Sequence, residues 1–300
     1  MKPLRHLLST RDLNRELIEE ELFPLSDELR DRDVLGEPLK GRTMYSLFYE
    51  PSLLTRISFE RAIELLGGSE YHTEDASQFF PVGTSAYIEN TVQLLASFHF
   101  NALVLRSSEA NVINRAASSD IVSIINGGSA GDHPTQALVD IYTLQRELGG
   151  VDGITIGIVG RLEHRNVNAL LTGLALFRQV KIVLVPFSGQ ANEEIVAYCQ
   201  RKGIDFRQEI EMSKLGEVDA IYLNATQTPA HAELLKSRKT VDFTIDQKFL
   251  DRLKDHCVVL DPMQRTGDFV VESQDRRLAF YRQSENGLYL RMALLMKMLA

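Results

Sequence analysis

The run Gly131-Asp132-His133-Pro134-Thr135-Gln136-Ala137-Leu138-Val139-Asp140 places a histidine and a glutamine beside a proline at the start of an apolar-periodic helix. Pro134 suits a first helical turn, where its missing N–H costs nothing, and a helix start offers free amide donors and positive dipole density to an anion. His133 and Gln136 can then hydrogen-bond a carbonyl or a phosphate. The same histidine also suits a packing role.

A second segment follows the same logic. Thr43–Tyr49 reads as a strand and leads into Glu50-Pro51-Ser52-Leu53-Leu54-Thr55-Arg56-Ile57-Ser58-Phe59-Glu60, a helix closed by Gly67-Gly68. Hydroxyls at Ser52 and Thr55 on a helix start after a strand make another anion cradle. The plainer alternative is a capped helix, with Ser52 as N-cap and Arg56 paired to Glu60 one turn on.

The elements that must position these residues are α/β throughout. Apolar, β-rich runs at Thr43–Tyr49, Ala102–Arg106, Ile121–Ile125, Ile154–Val159, Lys181–Val185, Asp219–Leu223 and Val258–Leu260 alternate with helical periodicity. Such runs predict doubly wound parallel sheets with both faces covered. With 300 residues, 44% of them hydrophobic, the chain can bury two cores. The join is expected at Gly149-Gly150-Val151-Asp152-Gly153, giving domains 1–148 and 149–284, with residues 285–300 packing back on the first.

Composition removes other classes. A net charge of −8 without a long basic run argues against a nucleic-acid partner. No apolar stretch has the length to span a bilayer, and Met1-Lys2-Pro3-Leu4-Arg5 leads into a polar helix rather than a signal sequence. Cys199 and Cys257 lack metal or redox spacing, so reduced, buried thiols in a cytoplasmic protein are expected.

Taken together, the two cradle segments resemble those of the aspartate and ornithine carbamoyltransferases, which read Phe-x-Glu-x-Ser-Thr-Arg-Thr-Arg and His-Pro-x-Gln. The likeness extends through Ala102–Arg106, Ile156–Gly160, Arg165-Asn166-Val167, Asp219 through Gln227, and the closing helix from Asn286. Thr135 stands where ornithine enzymes usually carry cysteine, which favours the aspartate branch. The resemblance implies transfer of a carbamoyl group from carbamoyl phosphate to an amino-acid amine, a step of pyrimidine biosynthesis, in a homotrimer with no metal and no cofactor. It implies that Ser52, Thr55 and Arg106 hold phosphate and that His133 and Gln136 address the carbamoyl group. Met263 and Gln264 complete that site, and Arg165 and Gln227 bind the amino acid. On its residue type alone, Arg106 also reads as a surface ion pair and Arg165 as a solvated helix residue.

Three departures remove charge. Leu53-Leu54 replaces the family's Thr-Arg. Thr84 falls where a neighbouring subunit supplies lysine, and Ala225 replaces an arginine that grips aspartate. Asp261-Pro262-Met263-Gln264-Arg265 stands where the family has His-Pro-Leu-Pro-Arg. Losing one donor to a developing oxyanion costs about 10²–10³ in rate, so ordinary aspartate transcarbamoylation is expected to be nearly abolished. An arginine at position 54 would also cost stability if Leu54 packs against apolar neighbours. The loop Arg161-Leu162-Glu163-His164-Arg165 either supplies compensating charge or is a solvated surface in which Glu163 pairs with a neighbour.

Two functions stay open at this level. One is a carbamoyltransferase with a different amino acid or another small phosphorylated ligand. The other is a non-catalytic homologue kept for its shell, for ligand binding, or for a pathway-enzyme or active-subunit partner.

Overall fold

The computed structural model describes residues 4–73, 75–78, 87–224, 245–262 and 274–300. The chain forms two compact units, Met1–Val139 with Glu285–Ala300, and Asp140–Ser284. The first holds α1 (Phe23–Asp31), β1 (Thr43–Phe48), α2 (Leu53–Leu65), β2 (Ser69–Thr73), α3 (Ile88–Ser97), β3 (Ala102–Ser107), α4 (Val112–Ala117) and β4 (Ser123–Ser129). Helix α5 (Pro134–Leu148) follows. Its first turns belong to this unit and the remainder to the second, so the division falls inside the helix rather than at the glycines after it.

The first sheet is parallel, in the order β2-β1-β3-β4. The inner strand β3, Ala-Leu-Val-Leu-Arg-Ser, carries a near-continuous apolar run because both its faces are covered. Leu47, Leu103 and Leu105 pack with Ile88, Val92 and Leu95 of α3, and each such side chain contributes about 1.5–3 kcal/mol on full burial. The edge strand β2, Ser-Glu-Tyr-His-Thr, lacks an apolar run and was not predicted. A polar edge strand pairs on one side only and needs no second apolar face.

The second unit holds β5 (Thr155–Arg161), α6 (Arg165–Leu174), β6 (Lys181–Ser188), α7 (Glu193–Arg201), β7 (Asp205–Gln208), β8 (Ala220–Asn224), α8 (Gln247–Leu250) and β9 (Val258–Leu260). These strands form a parallel sheet in the order β7-β6-β5-β8-β9. Its core gathers Val159, Val183, Ile221 and Val259 with Leu215 and Phe249. Asp219 staples the start of this sheet: Oδ2 accepts from the Thr155 amide at 2.8 Å, and Oδ1 accepts from Lys254 Nζ at 2.9 Å and His256 Nε2 at 3.0 Å. Burial alone would raise this carboxyl, but those three donors together hold it below the usual carboxylate range.

The last helix, α9 (Phe280–Leu299), begins in the second unit and has Glu285 onward in the first. There Arg30 Nη1 meets Glu285 at 3.0 Å, the Arg291 guanidinium lies 5.2 Å from the Phe59 ring, and Lys297 pairs with Glu21. Both cysteines are buried, and burial pushes the Cys257 thiol up to about 12, with the charge of Asp219 adding to the effect. Among the described residues no helix is long and apolar enough to cross a membrane.

Candidate active site

The candidate phosphate site lies where β1 and β3 end. The Tyr49 amide donates to the Arg106 carbonyl at 2.9 Å, which ties the two strand ends together just before α2 begins. Ser52 is the N-cap of α2 in extended backbone, yet its side chain makes no capping hydrogen bond. The first amides of α2 have no partner within the helix and form a natural anion donor set. The Arg56–Glu60 pair of the plainer reading is also present, at 2.8 Å and largely buried. Helix capping geometry and an unspent Ser52 hydroxyl therefore coexist.

Arg106 is not a surface ion pair. Its side chain is only 11% exposed, with Nη1 donating to the Gly127 carbonyl at 3.2 Å and Nε 3.9 Å from Glu50 Oε2. Space for it comes from Gly128, whose φ of +122° disfavours L side chains and where a Cβ would sit 2.7 Å from Arg106 Nη1. The buried Asn126 sets this strand end, accepting from the Gly128 amide at 2.9 Å and donating to the Leu8 carbonyl at 2.8 Å.

His133 joins the two sequence motifs. It is 3% exposed, with Nε2 3.3 Å from Thr55 Oγ1 and Nδ1 3.4 Å from Thr135 Oγ1. Its backbone N–H donates to Asp132 Oδ1 at 2.8 Å. The Asp132 carboxylate also accepts from Ser9 Oγ at 2.9 Å, the Thr10 amide at 2.8 Å and Thr10 Oγ1 at 2.5 Å. The amino-terminal segment thus fixes the histidine's turn, a support that sequence reading missed. Gln136 stands half-buried in the first turn of α5.

Leu54 does not pack inside the protein. It is 38% exposed, beside Leu53 at 67% and one turn before Ile57 at 49%. The concern that an arginine at 54 would be a buried charge is corrected accordingly. Thr84, Ala225, Gln227, Met263 and Gln264 lie outside the described residues.

In the second unit β5 is flanked by β6 and β8, so the sheet's strand order reverses between β5 and β8. Ligands of open α/β sheets bind at the carboxyl ends of strands at such a switch point. Arg161 and Asn224 end those two strands, and Asn224 Nδ2 donates to the Arg161 carbonyl at 2.8 Å. The side chain of Arg161 pairs with Glu163 at 3.1 Å, so much of the loop's extra positive charge is offset locally, as in the solvated-surface reading. His164 caps α6, accepting from the Asn166 amide at 3.4 Å through Nδ1. Arg165 opens α6 half-buried, so it is not a fully solvated helix residue. Beneath the β9 end, Gln283 receives the Asp261 amide at 2.9 Å and donates to Asp140 at 2.7 Å. Burial, followed by Asp140 and Asp261, pushes the neighbouring Tyr222 hydroxyl well above its usual range.

Two parallel-sheet α/β units, the first with a candidate anion site at a helix start and the second with a switch-point loop, define a class of two-unit α/β proteins. The sequence places this chain within it more narrowly. Residues 5–146 match the aspartate/ornithine carbamoyltransferase carbamoyl-P binding domain, and residues 152–298 match the Asp/Orn binding domain of the same family. The chain belongs to the aspartate/ornithine carbamoyltransferase family. Aspartate carbamoyltransferase 2 of Pisum sativum, a chloroplastic protein, is 36% identical over 264 residues, 86% of this chain and 68% of its own length. Aspartate transcarbamoylase from Trypanosoma cruzi, solved in complex with carbamoyl phosphate, superposes with a TM-score of 0.88 at 29% identity, covering 99% of this chain and 97% of that one. The catalytic subunit of M. jannaschii aspartate transcarbamoylase gives 0.85 at 28% identity, covering 98% and 97%.

Proposed function

We propose that this protein binds carbamoyl phosphate on its first unit and transfers the carbamoyl group to an amino-acid amine, slowly when the acceptor is aspartate, as a homotrimer. The observation that carries this reading is that Thr55 of α2 meets His133 Nε2 at 3.3 Å, while Gly128 adjoins both His133 and Arg106, its Cβ position lying 3.4 Å from His133 Cδ2 and 2.7 Å from Arg106 Nη1. In the reaction an amine attacks the carbonyl carbon, the carbonyl oxygen takes up negative charge, and the carbon–oxygen bond to phosphate breaks. Arg106, Ser52 and Thr55 hold the phosphate, while His133 and Gln136 donate toward the carbonyl oxygen, so positioning and electrostatics supply most of the catalysis. Met263 and Gln264 complete the carbamoyl side, and Arg165 with Gln227 receives the amino acid.

Aspartate is a poor acceptor in this reading because positions 54, 84 and 225 carry leucine, threonine and alanine in place of cations. Relatives from Trypanosoma cruzi solved with carbamoyl phosphate and with aspartate support the choice of ligands. Calorimetric titration with carbamoyl phosphate, phosphate and L-aspartate, run beside an assay of phosphate release across amino acids, tests it. Arg106→Ala is expected to weaken phosphate binding by about tenfold or more, since a charge-assisted hydrogen bond contributes roughly 1.5–3 kcal/mol. Binding without turnover for every amino acid would shift the assignment to a non-catalytic homologue, and absence of binding would overturn both.

A further inference from the structure

We infer that the first unit carries a second ligand site, a cavity of about 480 Å³ between β1 and α3 that takes an uncharged, planar aromatic molecule with a hydrogen-bonding edge. Alternate residues of β1 and the segment after it, Tyr45, Leu47 and Tyr49, present one face to it, and Thr91, Leu94 and Leu95 of α3 form the opposite wall. Its volume lies within the roughly 300–1,000 Å³ of small-molecule pockets, far above the voids left in a close-packed core. None of the described residues lining it is charged, and none of Ser52, Thr55, Arg106 or His133 is among them. It is therefore chemically unlike the phosphate cradle and unsuited to a dianion, whose desolvation nothing there would offset.

The walls select for flat rings. The Tyr45 ring is fixed edge-on against Phe100 at 5.1 Å, and its hydroxyl lies 2.5 Å from Thr73 Oγ1. Burial raises the Tyr49 hydroxyl's pKa, Thr91 works against that rise, and the charge of Glu109 adds to it. Thr91 in turn donates to the Tyr87 carbonyl at 3.1 Å. The aromatic faces and hydroxyls are thus held in place before any ligand arrives, which lowers the ordering cost of binding. Tyr87 at 49% exposure and Leu94 at 53% leave apolar surface wet at the mouth, which an aromatic ring would cover.

Indole, an uncharged flat ring with one N–H donor, is the probe. The chain contains no tryptophan, so indole fluorescence after equilibrium dialysis against the full chain reports ligand alone. One saturable site per chain is expected, with Kd below about 1 mM and no displacement by inorganic phosphate. Thr91→Phe, which fills the cavity, and Leu94→Glu, which places a charge at its exposed mouth, should each weaken binding at least about tenfold. Absence of saturation, displacement by phosphate, or unchanged affinity in the folded variants would overturn the inference. Should Thr91→Phe fail to fold, Leu94→Glu decides alone, because its position is on the surface.

Discussion

Replacing Leu54 by arginine tests the link between the altered motif and the expected slow turnover. Leu54 is the second residue of α2 and 38% exposed, so the substitution removes only part of a leucine's burial, about 1–2 kcal/mol. A cation in the first turn opposes the helix dipole by about 0.3–1 kcal/mol. The folded protein should therefore lose about 1–3 kcal/mol and melt several degrees lower, without the penalty of a buried charge. Against this, a new charge-assisted hydrogen bond to phosphate contributes roughly 1.5–3 kcal/mol, which is about a 10–150-fold gain in affinity. Circular dichroism melts followed by calorimetry with phosphate and carbamoyl phosphate measure both terms. Turnover of aspartate should change little in the single variant. It should rise by orders of magnitude only when Leu54→Arg is combined with Thr84→Lys and Ala225→Arg, because residues acting as a unit are non-additive. A folded Leu54→Arg protein with unchanged phosphate affinity would refute the placement of position 54 at the cradle. An ordinary rate in the unaltered protein would refute the reading of all three positions and direct attention to Arg161 and His164.

Gly128→Ala should cost about 1–3 kcal/mol in a urea melt and weaken phosphate binding at least about tenfold, since its Cβ meets Arg106 Nη1 and its φ is +122°. Asp132→Ala leaves donors of Ser9, Thr10 and His133 without their acceptor and should destabilise the first unit by about 2–5 kcal/mol, with Asp132→Asn losing less. Asp219 titrates below its ordinary range, so its stabilisation is complete above the unfolded carboxylate pKa of about 3.9 and disappears as pH falls through the lower folded value. Asp219→Asn should therefore destabilise the protein at neutral pH, with a difference that shrinks in acid melts. Light scattering at micromolar concentration should give the mass of three chains, and a monomer would count against the trimer.

Much of the architecture was legible because parallel strands covered on both faces must be apolar along their length. The predicted runs from Thr43 to Leu260 each overlap an observed strand, most of which continue past the run's end, whereas β2 and β7, polar edge strands without an apolar run, were invisible. The helix starts of the two motifs, at Leu53 and Pro134, were equally legible, since a helix start needs particular residue types at fixed spacing wherever it lies. Their meeting was not. Only folding brings Thr55 within 3.3 Å of His133, 78 residues later, and sets the two motifs side by side.

Burial and pairing were decided at the same level. Arg106 became an enclosed cation because Gly128 leaves room for it, and Leu54 turned outward because α2 buries Thr55 and Phe59 instead. Of the two readings the sequence left for the Arg161–Arg165 loop, pairing of Glu163 with a neighbour is the one observed, the partner being Arg161. Residue type and local spacing determine which groups can serve as donors and where helices and covered strands begin. Which donors are enclosed, neutralised or aimed at one another depends on contacts between segments distant in the chain, and those exist only in the folded structure.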